Sequence, residues 1–391
     1  MPVTINGTTG ISGSDGSVST PSVRGNDSDT GLYFPSAGNT AIAINGNTAL
    51  LIDNNYNITT NGNISMASSF KRNRIINGNM VVDQRNAGAN VTVTTSGQYA
   101  LDRFCYFVSQ PSKIITQQNQ GSVTPPVGFS TYVGMTVGAS ANVTISASDN
   151  FGIRQMIEGY NIADLGWGTS NAKTITFSFW VRSSLTGTFG GAICNSAGDR
   201  SYAYTYTINA ANTWEYKTVT VTGCTDGTWN TTTGVGIELR IAIGAGSNWT
   251  GTAGSWASAN YVSATGATNL ITTNSATFYI TGVQLEVGTK ATPYEMQIYS
   301  DQLVQCQRYY TTYTVSFRGY CLNGDYFSNP IYYSTQMRAT PSVSRSGGTF
   351  TSCSFAAVEN INVGMCRYTV QASSSTTVQV INDVATFSAE L

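Results

Sequence analysis

Histidine is absent from this 391-residue chain. Its absence excludes Ser-His-Asp and Cys-His catalysis, His-ligated zinc and imidazole pH sensing. Charge is scarce as well: 10% of residues are charged, against the ~25% usual in globular proteins. The net charge of −1 gives no basic field for nucleic acid, and a neutral surface suits neutral or zwitterionic glycans better than polyanions. No run of about 18 apolar residues is present, so no membrane-inserting helix is expected. The N-terminus lacks the pattern of a signal peptide. Seven cysteines are scattered with no Cys-x-x-Cys pair. An odd, dispersed set of that kind predicts free buried thiols rather than a disulfide framework, consistent with assembly in a reducing cytoplasm.

What is abundant points to strands. Forty glycines, 22 tyrosines and frequent Thr, Ser and Asn suit short strands joined by polar turns. With 41% apolar and 11% aromatic residues, the chain has enough to build a core. In residues 174–182, Ile175, Phe177, Phe179 and Val181 fall on one face, with Trp180 and Arg182 on the other. Residues 235–243 repeat the pattern, with Val235, Ile237, Leu239, Ile241 and Ile243 inward and Glu238 and Arg240 outward. Tyr202, Tyr204 and Tyr206 also share a face. In 276–287 the phase changes at Gly282, which predicts a bulge. One helix is expected over 301–308, capped by Ser300, with Leu303, Cys306 and Tyr310 on its buried stripe.

Residues 1–70 read differently. Apolar runs of three to five residues (31–35, 40–44, 49–53) are each interrupted by Gly, Asn, Asp or Ser. Such a segment cannot bury enough area alone, but three copies of it wound around one axis could do so; the alternative is a flexible tail.

Two stretches are the most distinctive. Residues 72–89 read RNRIINGNMVVDQRNAGA and lead to Ala100-Leu101-Asp102-Arg103. Residues 279–295 read YITGVQLEVGTKATPYE and lead to Cys306-Gln-Arg-Tyr-Tyr310. Together they resemble the two ends of the jelly-roll module of bacteriophage tail fibres, whose relatives among enzymes are family 4/9-type carbohydrate-binding modules. The Asp29–Pro35, Ala41–Gly46 and Leu50–Asn54 runs resemble fibre shafts, and Met337–Val343 with the terminal Ala-Glu-Leu resembles fibre tips. The resemblance implies a mainly β chain in four parts. Residues 1–70 would be a trimeric β-rich attachment stalk, and 71–296 a central antiparallel β-sandwich of the jelly-roll kind. Residues 297–310 would be a linking helix, and 311–391 a small distal β-sandwich. It further implies a homotrimer in the virion tail, joined to other tail proteins through its N-terminus. Such a fibre would hold host-surface polysaccharide or lipopolysaccharide by multivalent binding without catalysis.

Sugar recognition needs flat apolar rings and a few polar groups in a concavity. Three candidate surfaces follow. One is a sheet face holding Trp180, Arg182, Glu238, Arg240 and Gln284, if those strands are neighbours. A second is the loop with Trp249, Trp256 and Tyr261, whose tryptophans would alternatively brace the sandwich. The third is the distal stretch with Tyr320, Asp325, Tyr326 and Tyr332, read as a loop-like run around an Asn323-Gly324 turn. On the same hypothetical face Glu238 and Glu286 could oppose one another with Arg182 and Arg240 beside them, either as an ion-paired surface or as a carboxylate pair for glycoside cleavage. Asp102-Arg103 is expected in a structural salt bridge. No cofactor is required; a structural calcium on Asp83, Asp102 and Glu295 is the one metal set to consider. A polysaccharide depolymerase and a purely structural tail component stand as alternatives.

Overall fold

The computed structural model describes residues 4–6, 10–12, 15–56, 58–60 and 71–391. The chain divides into two compact units, Met1–Ser69 and Phe70–Leu391. Among the described residues no helix is long and apolar enough to cross a membrane.

The first unit contains a five-stranded antiparallel meander: Val23–Arg24, Gly31–Tyr33, Thr40–Ile44, Asn47–Ile52 and Ile58–Thr60. Its buried face carries Tyr33, Ala41 and Ala43, packed with Val18 and Leu51. Register places Val23, Leu32, Ile42 and Leu50 side by side on the other face, with Ile52 beside Ile58. Several branched apolar side chains therefore lie on the open side: Ile42 is 41% and Ile44 51% exposed. Residues 61–70, the end of the expected stalk, lie outside the described residues.

The second unit opens with a two-sheet antiparallel sandwich. One sheet has six strands in the order Val91–Thr92, Ile114–Gln118, Val133–Val137, Thr277–Val287, Ile175–Ser183, Glu215–Val221. The other has seven: Tyr99–Leu101, Phe104–Val108, Asn150–Glu158, Val235–Ala245, Gly187–Cys194, Ser201–Ile208, Trp256–Ala257. The alternation read from sequence puts the expected residues inside except Val235, which is half-buried and pairs with Glu158 beyond a register slip at Gly236. Ile175, Phe177, Phe179 and Val181 face Ile237, Leu239, Ile241, Ile243 and the three tyrosines across one core. Phe177 meets Tyr204 and Phe179 meets Tyr206 edge-on, the geometry that ring quadrupoles favour. At Gly282 (φ +63°) the register against strand 175–183 slips. An added Cβ there would lie 2.6 Å from the Phe129 ring. The slip returns Val283 and Leu285 to the core face after Phe278 and Ile280.

The helix runs Tyr299–Gln307, and Ile298 rather than Ser300 stands at its N-cap, with no side-chain capping bond. The buried stripe is Gln302, Cys306 and Tyr309; Leu303 is only half-buried, and Tyr310 already begins the next strand. Beyond it lies a second, smaller sandwich. Strands Tyr310–Cys321, Thr376–Ser388 and Ser342–Thr351 form one sheet; Tyr326–Tyr332, Met365–Ala372 and Cys353–Glu359 form the other. Polar ties lock the two sandwiches together. Glu158 binds Arg308 (2.9 Å) and the Tyr309 hydroxyl (2.7 Å). Glu390 takes Arg85 (2.6 Å) and the fully buried Arg103. Arg338 donates to the Thr233 carbonyl at 2.6 Å and to the carbonyls of Ala389 and Glu390. Arg103 thus sits in a structural salt bridge, whereas Asp102 accepts from the Gln84 backbone and side-chain amides at 2.7 and 2.9 Å. All seven cysteines are free and buried.

Candidate functional site

The expected shared face does not exist. Strands 175–183 and 277–287 belong to the six-stranded sheet and strand 235–245 to the seven-stranded one. Trp180, Arg182, Gln284 and Glu286 therefore point away from Glu238 and Arg240, on opposite outsides of the sandwich. Periodicity places residues on a face but does not say which sheet a strand joins. Glu238 and Glu286 cannot pair across a substrate, and Arg182 neutralises neither. Its Nε donates to the Asn212 carbonyl at 2.9 Å. Glu286 is buried and saturated by Thr292 N–H (2.8 Å), Thr292 hydroxyl (2.7 Å) and Gln284 Nε2 (3.0 Å), with Arg72 at 3.7 Å. Gln284 is equally consumed, its Oε1 accepting from Glu295 N–H at 2.7 Å. Trp180 leans on Tyr216, ring centroids 5.5 Å apart, as part of a half-covered surface.

The seven-stranded sheet presents a different picture on its outer face. Register aligns Cys105, Arg154, Arg240, Ala192 and Ala203 in one row. The adjacent row runs Phe107, Gly152, Ala242. Small residues make this face concave. A Cβ on Gly152 would stand 2.4 Å from the Phe107 ring, so that ring lies directly over the strand. Residues 246–262 fold back over the Ala242 side, where Val262, Ala245 and Phe107 form a small outer core with Trp249 against it. What remains open is a cleft of about 270 Å³. Its floor is Arg154, Arg240 and Phe107; its walls are Trp249, Asn260 and Val262 on one side, Ser96, Val108 and Asn150 on the other.

Each polar group on the floor has a fixed position. Glu238 Oε2 accepts from Arg154 Nη1 (3.1 Å) and Arg240 Nε (2.9 Å), with Arg240 Nη2 at 2.8 Å. Arg240 Nη1 donates to Asn260 Oδ1 (2.6 Å) and to the Tyr261 carbonyl (3.1 Å). The thiols of Cys105 and Cys194, beside Arg154 and Glu238 in the ladder, are pushed up by burial, Cys194 to about 12, so they remain neutral. Trp249 is held by its Nε1 donating to the Ser148 carbonyl at 2.8 Å. That loop is organised by Asp149, which accepts from Ser146 N–H, the Ser146 and Ser109 hydroxyls and Gln110. Burial opposes the Asp149 charge, yet those hydrogen bonds prevail and pull it down to about 2.

Of the candidates read from sequence, Glu238, Arg240 and Trp249 come together here. Tyr261 contributes its carbonyl to Arg240 while its ring packs on Gly251. Trp256 braces the sandwich edge, edge-on to Trp167, Trp229 and Tyr202, with its indole N–H on the Thr222 carbonyl at 2.8 Å. The distal residues do not form one platform. Strand continues through Cys321 and resumes at Tyr326, leaving only a tight turn at 322–325 where Asp325 is exposed. Tyr320 (67% exposed) lies outside one sheet of the small sandwich, and Tyr326 and Tyr332 outside the other.

The three carboxylates weighed for calcium do not converge, and no group of three or more metal-binding side chains occurs among the described residues. Asp83 caps the turn at Arg85, Asn86 and Gly88. Glu295 accepts from the backbone of Lys71 (2.6 Å) and Asn73 (2.9 Å), and Asp102 is spent on Gln84. Backbone N–H groups occupy the oxygens a cation would need.

Arg154, Phe107 and Asn260 were not singled out in sequence. The 150–158 strand hides its alternation because Gln155 takes an inward position. There Gln155 exchanges hydrogen bonds with Ile76 N–H (2.9 Å) and carbonyl (2.8 Å) like an extra strand partner. A second cavity of about 290 Å³, between residues 71–76 and the helix, is lined by Lys71, Arg74 and Arg308. Its two arginines are already paired, with Asp164 and Glu158.

No protein-family model matches the chain, and no curated protein matches it. Solved structures overlap with it distantly. An enzymatically active domain of bacteriophage CBA120 tailspike protein 4 overlaps at 12% identity and TM-score 0.31, over 56% of this chain. The chain covers only 22%, about a fifth, of that domain's length. A family 4 carbohydrate-binding module overlaps at 17% identity and TM-score 0.25, over 54% of this chain and 98% of the module. A family 11 carbohydrate-binding module from a cellulosomal cellulase of Clostridium thermocellum does so at 9% identity and TM-score 0.25, over 53% and 100%. Overlap at this level adds nothing to the strand order above, and the functional reading rests on the cleft.

Proposed function

We propose that the chain binds glycans, without turnover, in the cleft on the outer face of the seven-stranded sheet. The observation that carries this is one concavity joining the half-buried Trp249 ring to polar side chains of Arg154, Asn260 and Asn150. Rings of that kind cover the C–H faces of a pyranose, and the polar groups meet its hydroxyls. Glycoside cleavage uses two carboxyls flanking the bond. Glu238 lies beneath the two arginines, and Glu286 is on the far side of the sandwich. The test is a glycan array probed with the full chain, followed by sizing of any bound polymer. Binding weakened about 10-fold in Trp249→Ala, with polymer length unchanged, is the expected result. Shortened polymer would overturn the non-catalytic reading.

We further propose that this binding serves attachment as part of a homotrimeric bacteriophage tail fibre, its N-terminal unit joining copies and other tail proteins. The open face of that unit supports the trimer: Val23, Ile42, Ile44 and Ile58 lie outward at 59, 41, 51 and 62% exposure. Apolar faces of this kind usually meet a partner. Sedimentation equilibrium is expected to give three chains per particle, dissociating in Ile42→Asp/Ile44→Asp. A monomeric parent would sink the fibre reading and leave the cleft untouched.

A further inference from the structure

We infer that the sugar taken by the cleft is acidic, its carboxylate paired with Arg154. This rests on the glycan reading of the same cleft and adds a charge to its ligand. It also reverses the expectation from composition, which favours neutral glycans because the chain as a whole is nearly neutral. A site answers to local charge rather than to the sum over the chain.

The floor of the cleft holds two guanidinium groups and one carboxylate. Arg154 and Arg240 are direct cross-strand partners, an arrangement in which like charges repel. Glu238 Oε2 lies against both, 3.1 Å from Arg154 Nη1 and 2.8 Å from Arg240 Nη2. One carboxylate shared by two arginines leaves one positive charge over. The distribution of donors says which arginine carries it. Arg240 is 6% exposed, and its Nε, Nη1 and Nη2 all meet protein oxygens. Arg154 gives only Nη1 to a protein oxygen; its other near partner is the neutral Cys105 thiol beside it, its Nε is buried without a partner, and its side chain keeps 21% exposure in the cleft. The other carboxylate nearby in the chain, Asp149, spends both oxygens on Ser146, Ser109 and Gln110. A half-buried arginine with unspent donors is the group best suited to a planar carboxylate.

The size of the cleft agrees. At about 270 Å³ it falls just below the ~300 Å³ of the smaller ligand sites, room for a sugar residue or two. A uronic or nonulosonic acid carries carboxylate and hydroxyls on one ring. The carboxylate would meet Arg154 while Asn150, Asn260 and Ser96 take hydroxyls and Trp249 covers the apolar face.

The experiment uses the full chain on immobilised oligogalacturonate, oligoalginate and oligosialate, each beside its carboxyl methyl ester, with neutral oligosaccharides and a phosphodiester-linked glycan on the same surface. Binding to at least one acidic oligomer, weakened about 10-fold or more by esterification or by Arg154→Gln, is expected from the loss of a charged hydrogen bond. Arg154→Lys keeps the charge and should restore part of the affinity, which a merely structural role for Arg154 would not explain. Equal binding of acid and ester, both lost in Trp249→Ala, would overturn the acidic-sugar inference and keep the glycan site. Binding confined to neutral oligosaccharides or to the phosphodiester polymer would also overturn it. No binding to any member would remove the glycan reading itself.

Discussion

Replacing Glu390 with Gln tests how the two sandwiches of the second unit are held together. Glu390 is the shared anion of Arg85 and Arg103, and Arg103 has only 1% of its side chain exposed. Burial disfavours the Arg103 charge, and the Glu390 carboxylate more than restores it. Glutamine keeps the shape and one oxygen acceptor but removes the charge. Breaking a buried ion pair from one side costs ~3–5 kcal/mol, because the other charge is left uncompensated. Two contacts survive here: Arg103 Nη2 still donates to the Met156 carbonyl at 2.6 Å, and its guanidinium lies 3.6 Å from the Tyr309 ring centroid. They place the expected loss at the low end, about 3 kcal/mol. Guanidinium chloride unfolding followed by tryptophan fluorescence, at fixed protein concentration, measures it. Arg103→Met alone and combined with Glu390→Gln complete a double-mutant cycle. A loss under about 1 kcal/mol for Glu390→Gln would refute the argument, since that is the worth of an exposed pair. So would an additive double mutant.

Three further outcomes are expected. Asp102 is pushed up to about 6, chiefly by burial. With its folded value above the unfolded one, its contribution is present below about pH 4 and lost as pH rises through about 6, roughly 3 kcal/mol in all. Asp102→Asn should flatten the stability-versus-pH curve between those limits, and an unchanged slope would contradict the assignment. Trp180→Ala should leave glycan affinity within about 2-fold while Trp249→Ala lowers it about 10-fold; titration calorimetry on one glycan compares them, and the reverse ranking would move the site to the other sheet. The native protein should react with fewer than one equivalent of a thiol reagent, and with all seven after denaturation, because every cysteine is buried. Fast labelling of the native form would show that a segment opens.

Much of the fold was legible in the chain. Inward and outward residues of strands 175–183 and 237–245 followed from alternation, because a strand with one buried face repeats every two residues; Val235 did not, because the register slips at Gly236. The bulge at Gly282 followed from a break in that repeat. The helix was located, but its start was misplaced by two residues because Ser300 resembles a cap and Ile298 does not. The site was legible only in part. Arg240 and Glu238 were found because they interrupt an apolar strand. Arg154 was not, because Gln155 breaks the pattern beside it.

The sequence by itself determined the class of architecture and the inward half of each strand, since both follow from local spacing and composition. It also excluded chemistry that needs histidine. Only the tertiary structure decided which strands are neighbours. Pairing between residues 154 and 240, or between 103 and 390, is set by a whole sheet and core closing at once, and no local pattern encodes it. That closure separated Trp180 from Arg240, brought Arg154, Arg240 and Trp249 to one cleft, and placed Glu390 between two arginines 305 and 287 positions away.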